Sequence, residues 1–360
     1  MKYSKLTPKQ FNSLLKQSSS TINASKLYVC TRNANVTVQS INDVVSVLKS
    51  VKTYMKFKIF DGVIDFLLQN DKETRDHAEE NKKLREQIQS FQILTKIAEL
   101  KKSNDFDRVY KFFEELSSEG NREMMSRACE EELWEKTAGW RQNVLHIACG
   151  KGNFKLVKLL IECGCDKEVN DGFDFTPLIR ASREGHLEIV KYLISVGANK
   201  EGNPNKRISP LVWASWNGHL EVVKYLIYIG ANKEARGING ETPLFAASEE
   251  DHLEIVKYLI SIGVNKEAMN DDGYTPLSYA SWNGHLEVVK YLISFGADKE
   301  AKNKNGWTPL ICASWKNHFE VVKYLISVGA NKDAKDYKGK TALSHAKGKV
   351  RDYLKSIGAK

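Results

Sequence analysis

The tripeptide Thr-Pro-Leu stands at Thr176, Thr242, Thr275 and Thr308, and variants of it start at Asn143, Ser209 and Thr341. Every step from 143 to 341 is 33 residues, without a slip. Between the anchors whole peptides recur: NGHLEVVKYLI stands at both Asn217 and Asn283. A strict period of this length restricts the chain to stacked copies of one small unit.

The letters of a unit spell two helices. Thr or Ser is a good N-cap, because its oxygen accepts from an orphan backbone N–H. Proline follows at the first helical position, where no donor is needed. A short helix then runs to Asn-Gly or Glu-Gly, which breaks it. In the second helix Leu286, Val289, Leu292 and Ile293 form the expected apolar stripe. Glu287 and Lys290 pair on its wet face. Gly296 stops it, as do Gly197, Gly230, Gly263 and Gly329, since a positive φ costs glycine little. One such pair cannot bury its own apolar face, but stacked pairs can.

The 33-residue period, the TPL opening, the Gly-His between the helices and the Gly-Ala-Asn/Asp closing turn resemble ankyrin repeats. The stretch TPLSYASWNGHLEVVKYLISFGADKEAKNKNG, from Thr275 to Gly306, is typical. The near-identity of the units also resembles the lineage-expanded ankyrin proteins of parasitic protists. The resemblance spans 139–360 and implies an all-α ankyrin-repeat solenoid of seven units. The last unit, from Thr341, drops four residues between its helices. Its Lys347, Lys349, Arg351, Asp352 and Lys355 suit a solvent-facing cap. Residues 104–138 read as a degenerate capping repeat: Phe106, Val109, Phe112 and Phe113 mimic a second helix, and an acidic helix from Met124 to Trp134 is inserted after it.

In ankyrin repeats the turn tips and the inner side of the first helix form a concave binding face. Carried over, the variable positions are the residue before each anchor and the residue seven after it. They yield an aromatic groove over Phe175, Ile208, Trp216, Tyr274, Trp282, Trp307 and Trp315, flanked by Arg183, Glu249, Lys304 and Lys316. Trp and Tyr are enriched at binding hot spots. Two plainer readings stand beside this one. The ASW tripeptide was copied with its unit and has no role, or the rings pack against the neighbouring turn. Trp213 and Tyr279 read as inter-repeat packing.

His186, His219, His252, His285 and His318 recur once per unit. Neighbours about 10 Å apart cannot share a metal with bonds of about 2 Å. A hydrogen bond in the interhelix turn is the expected role. The six cysteines form no Cys-x-x-Cys pair and read as reduced thiols. No Ser-His-Asp set, carboxylate cleft, P-loop or dinucleotide motif appears. The expectation is a non-enzymatic protein-binding scaffold with no cofactor and no metal.

The first third is different. Two strand-like runs, 27–30 and 36–38, precede helices over 41–51 and 55–68. Residues 25–70 resemble the last strand and closing helices of a BTB domain, which would imply a substrate adaptor of a ubiquitin ligase. A small helical domain over 1–70, of no known class, is the alternative. Residues 71–103 form a linker helix, with Leu84, Ile88, Phe91, Leu94 and Ile97 as its stripe, suited to a coiled coil or to packing on the stack. Charge separates the regions: residues 1–60 carry +9, 61–138 carry −6 and 139–360 carry +6. The basic head offers a third reading, nucleic-acid or anionic-membrane binding. No apolar run reaches the roughly 18 residues of a membrane span, and no secretory leader is evident. A cytosolic or nuclear protein is the default expectation.

Overall fold

The computed structural model describes residues 93–360. The expectations for 1–92 lie outside the described residues: the BTB-like segment, the basic head and the linker positions Leu84, Ile88 and Phe91. The chain divides into two compact units, 1–133 and 134–360.

In the first unit a helical stretch over 93–102 buries Ile97 and Leu100. It meets the next helix through Lys96, whose ammonium lies 3.3 Å from Glu115 and 5.0 Å from the Phe112 ring. The helix Phe106–Glu119 begins at Asp105, whose carboxylate accepts from Arg108 N–H, and ends at Gly120 with φ 69°. Val109, Phe112, Phe113 and Leu116 are its buried face. The acidic helix is Arg122–Glu130, shorter than expected. Glu132 takes φ 57°, which ends it, and Leu133–Glu135 is a single 3-10 turn.

The second unit is a file of helix pairs, with no β-strand among the described residues beyond two isolated bridges. First helices run Val144–Gly150, Pro177–Arg183, Pro210–Trp216, Pro243–Glu249, Pro276–Asn283 and Pro309–Trp315. Second helices run Phe154–Glu162, Leu187–Ser195, Leu220–Tyr228, Leu253–Ser261, Leu286–Ser294 and Phe319–Ser327. First helices pack on first helices, second on second, and each on its own mate. The last pair is cut to Ala342–His345 and Gly348–Ser356, and its five charged cap residues are exposed.

Thr242 and Thr275 each accept from the N–H three residues on, at 3.3 and 3.2 Å, and Thr176 and Thr308 do so at 3.4 Å. Ser209 does not, since its backbone sits at ψ 132° rather than near 165°. Thr242→Ala is therefore expected to cost about 1 kcal/mol in a urea melt, and Ser209→Ala far less.

The buried stripe of the second helix is Val288, Val289 and Leu292. Leu286 and Ile293 are half-buried, which corrects the expected face. A helix with a mate on one side and neighbours fore and aft buries a wider arc than one stripe. The closing turns stitch unit to unit. Lys200, Lys233 and Lys299 each donate at 2.8 Å to the end of the next second helix, at Ile229, Ile262 and Val328 carbonyls. A cation is favourable there against the helix dipole. Glu234, Glu267 and Glu300 accept from the N–H of Asn265, Asp298 and Asn331 in the following unit.

The histidines also act between units. His219 Nε2 donates to the Arg183 carbonyl, His252 to Trp216 and His285 to Glu249, each at 2.8 Å. The expected bond exists, but it ties the end of the preceding unit's first helix rather than the histidine's own turn.

Candidate functional site

The tips of the turns are organised by a residue that sequence reasoning passed over. Five positions before the anchor stand Asp171, Asn270, Asn303 and Asp336. Each turns one oxygen onto two backbone N–H groups, two and four residues on. For Asn303 these belong to Asn305 and Trp307, both at 2.9 Å. For Asn270 they belong to Asp272 at 3.1 Å and Tyr274 at 2.9 Å. The signal was an Asp or Asn at a fixed register in four units. Its effect is to pin the residue before the anchor at the base of the tip.

Which of the predicted residues are available depends on what packs over them. Phe175 and Ile208 are only 4% and 3% exposed, so neither presents a surface. They pack with Ile179, and Trp213 of the Ser209 unit closes over them. Their place in the groove is corrected to the core. Tyr274 and Trp307 stay half-buried, as do Arg183, Trp216, Glu249 and Trp282. Trp315 is 49% exposed, and Lys304 and Lys316 are exposed. Trp213 and Tyr279 pack between units as expected, on Phe175 at 4.9 Å and Phe245 at 5.0 Å between ring centres.

The rings form two runs. One passes from Trp140 through Phe173, Phe175 and Trp213 to Trp216, with centres 4.8 to 6.2 Å apart. The other starts at buried Phe245 and passes through Tyr279 and Tyr274 to Trp282. Trp282 stacks on Trp307 at 5.6 Å and 27°, and Trp307 meets Trp315 at 5.4 Å. His345 closes this run, 5.2 Å from Trp307 and 5.3 Å from Trp315, and is held by buried Asp336 at 2.9 Å. Cations sit on the indoles: Arg183 lies 5.6 Å from Trp213, and Lys316 lies 4.6 Å from Trp282. Such contacts are worth about 0.5–1 kcal/mol at exposed sites.

Glu249 stands in the gap between the runs. Burial pushes its carboxyl up to about 7, and Glu250 and Glu241 add repulsion, while the Tyr279 hydroxyl bonded to it opposes the rise. Glu241 is 5% exposed and holds the Asn239 amide at 2.7 Å and the Asn239 N–H at 3.0 Å. Among the described residues neither carboxylate has a Lys or Arg ion pair. A raised acid binds its proton more readily in the folded state, so its charging costs stability as pH rises from about 4.5 to 7. Glu249→Gln is expected to melt above the parent at pH 8, with the difference closing toward pH 4.5. A difference independent of pH would contradict this.

A model for ankyrin repeats (3 copies) matches residues 116–204, 145–237 and 211–303, and a model for ankyrin repeats (many copies) matches 284–326. The structure is similar to the crystal structure of the human ASB11 ankyrin repeat domain, at 27% identity and a TM-score of 0.55. That likeness covers 60% of this chain and 97% of the other. No curated protein matches the chain.

Proposed function

The chain belongs to the ankyrin-repeat family, whose repeats are protein-interaction scaffolds, and on that premise we propose that it holds its partner along the face of its first helices and tips. The observation that carries this reading is the contact-linked set Tyr274, Trp282, Trp307 and Trp315, half-buried to exposed on consecutive units. Aromatic rings already held by their neighbours lose little freedom on binding, and large exposed apolar groups in contact mark interaction surfaces. Recognition is by a rigid surface: rings supply area, and Arg183, Glu249, Lys304 and Lys316 supply charge.

The test is capture from a lysate of the native organism, followed by reconstitution with the identified partner. The intact chain runs beside Trp216→Ala/Trp282→Ala/Trp315→Ala, after circular dichroism has shown that both fold. Each tryptophan is expected to contribute about 2 kcal/mol of binding, roughly 30-fold in affinity. Equal affinity for the partner in both proteins would overturn the reading.

A further inference from the structure

We propose that the centre of this face, at the Thr242 unit, seats a positively charged side chain of the partner: a lysine or arginine in an extended segment, placed against Glu249 with apolar neighbours on Trp216 and Trp282. The inference rests on the reading that the partner lies along the first helices.

Three observations converge on that position. The first is register. Trp216, Glu249 and Trp282 occupy the same place on consecutive first helices, 33 residues apart, and those helices pack directly on one another. A carboxylate is thus bracketed by indoles. The second is the fate of comparable acids. Asp171 is buried and paired with Arg180, and Asp336 is buried and paired with His345. Glu249 is half-buried, with Glu241 beside it, and neither has a Lys or Arg partner among the described residues. Asp171 and Asp336 each have a basic partner within the array, whereas Glu249 has only the Tyr279 hydroxyl and no cation among the described residues. The third is the company of the rings. The chain's own cations, Arg183 and Lys316, already rest on indole faces on either side, so the surface runs positive, negative, positive. A central cation is the complement of that pattern.

Geometry sets the length of the segment. Adjacent helices pack at about 8–10 Å, so Trp216 and Trp282 lie roughly 20 Å apart. A segment in the extended polyproline II form, at about 3.1 Å per residue, covers that in about six residues, and its three residues per turn set the first, fourth and seventh side chains on one face. The motif is apolar-x-x-(Lys/Arg)-x-x-apolar. The groups facing the Glu249 carboxyl are Glu241 and Tyr279, with Glu250 next to it in sequence. His285 reaches only its backbone carbonyl, and its ring lies 3.8 Å from Asp251. An arriving cation favours the ionised carboxylate, so binding expels a proton and strengthens from pH 6 to 8.

The test uses the full chain and a displayed heptapeptide library with apolar ends and a randomised centre. The enriched peptides are remade with arginine or neutral citrulline at the centre and titrated by tryptophan fluorescence. The expected result is a library enriched in central Lys or Arg. Affinity should fall at least about tenfold on citrulline substitution or in Glu249→Gln, and stay unchanged in Glu287→Gln on a second helix. Enriched peptides that lack a central cation, no enrichment at all, or an unchanged affinity in Glu249→Gln would overturn the proposal. If those peptides are still lost in Trp216→Ala/Trp282→Ala, the seat is wrong and the face stands. If they bind that variant as well, the face is wrong too.

Discussion

Asp171→Ala is expected to remove about 3–5 kcal/mol of stability, the cost of leaving a buried charge without its partner. The Asp171 side chain has no exposed surface, and that of Arg180 is 9% exposed. Arg180 donates to the carboxylate from Nε at 2.8 Å and from a terminal nitrogen. The other oxygen takes the N–H groups of Phe173 at 2.8 Å and Phe175 at 3.1 Å. Without the acid, the guanidinium stays near the Phe173 and Phe175 rings, 5.7 and 4.9 Å from their centres, with no anion. Urea unfolding should show the loss, fitted with nearest-neighbour coupling because repeat arrays depart from two-state behaviour. The double variant Asp171→Ala/Arg180→Met should recover much of it, since a buried pair gains little over apolar packing. A loss under about 1 kcal/mol would mean that water reaches the pair.

Gly284→Val is the second large effect. Gly284 has φ 84°, and a Cβ there would lie 2.4 Å from Nδ1 of His318 in the next unit. The left-handed backbone costs a non-glycine residue about 1–2 kcal/mol, and overpacking adds about 1–3 kcal/mol. A loss of about 2–5 kcal/mol is expected by the same melt. Gly284→Asn should cost less. The array already takes this turn through Asp251 at φ 60° and Asn317 at φ 62°. His285 tolerates Asp251 at 3.8 Å. Equal losses for valine and asparagine would contradict the backbone part of the argument.

These two cases mark what could be read from letters. The caps, the glycine stops and the truncated last unit follow from local chemistry repeated in register, and local chemistry is what a sequence displays. The histidine acceptor was not legible, because Trp216 precedes His252 by 36 residues and only stacking brings them together. Val288 was missed and Leu286 overvalued, because a period describes one helix face and not its three neighbours. Phe175 and Ile208 sit at variable positions like Tyr274 and Trp307. Whether such a side chain points out or in depends on its neighbour, and Trp213 covers the first two. Glu249 was marked by its position. Its isolation from cations could be seen only once its surroundings were in place.

A partner on the tryptophan face shields the rings that it covers. Hydroxyl-radical footprinting of the reconstituted complex tests it side chain by side chain. Trp282, Trp307 and Trp315 should be oxidised more slowly in the complex than in the free chain. Tyr228 and Phe295, 86% and 52% exposed at the ends of second helices, should react at the same rate in both. Protection of Tyr228 and Phe295 with unchanged tryptophans would place the partner on the second helices instead.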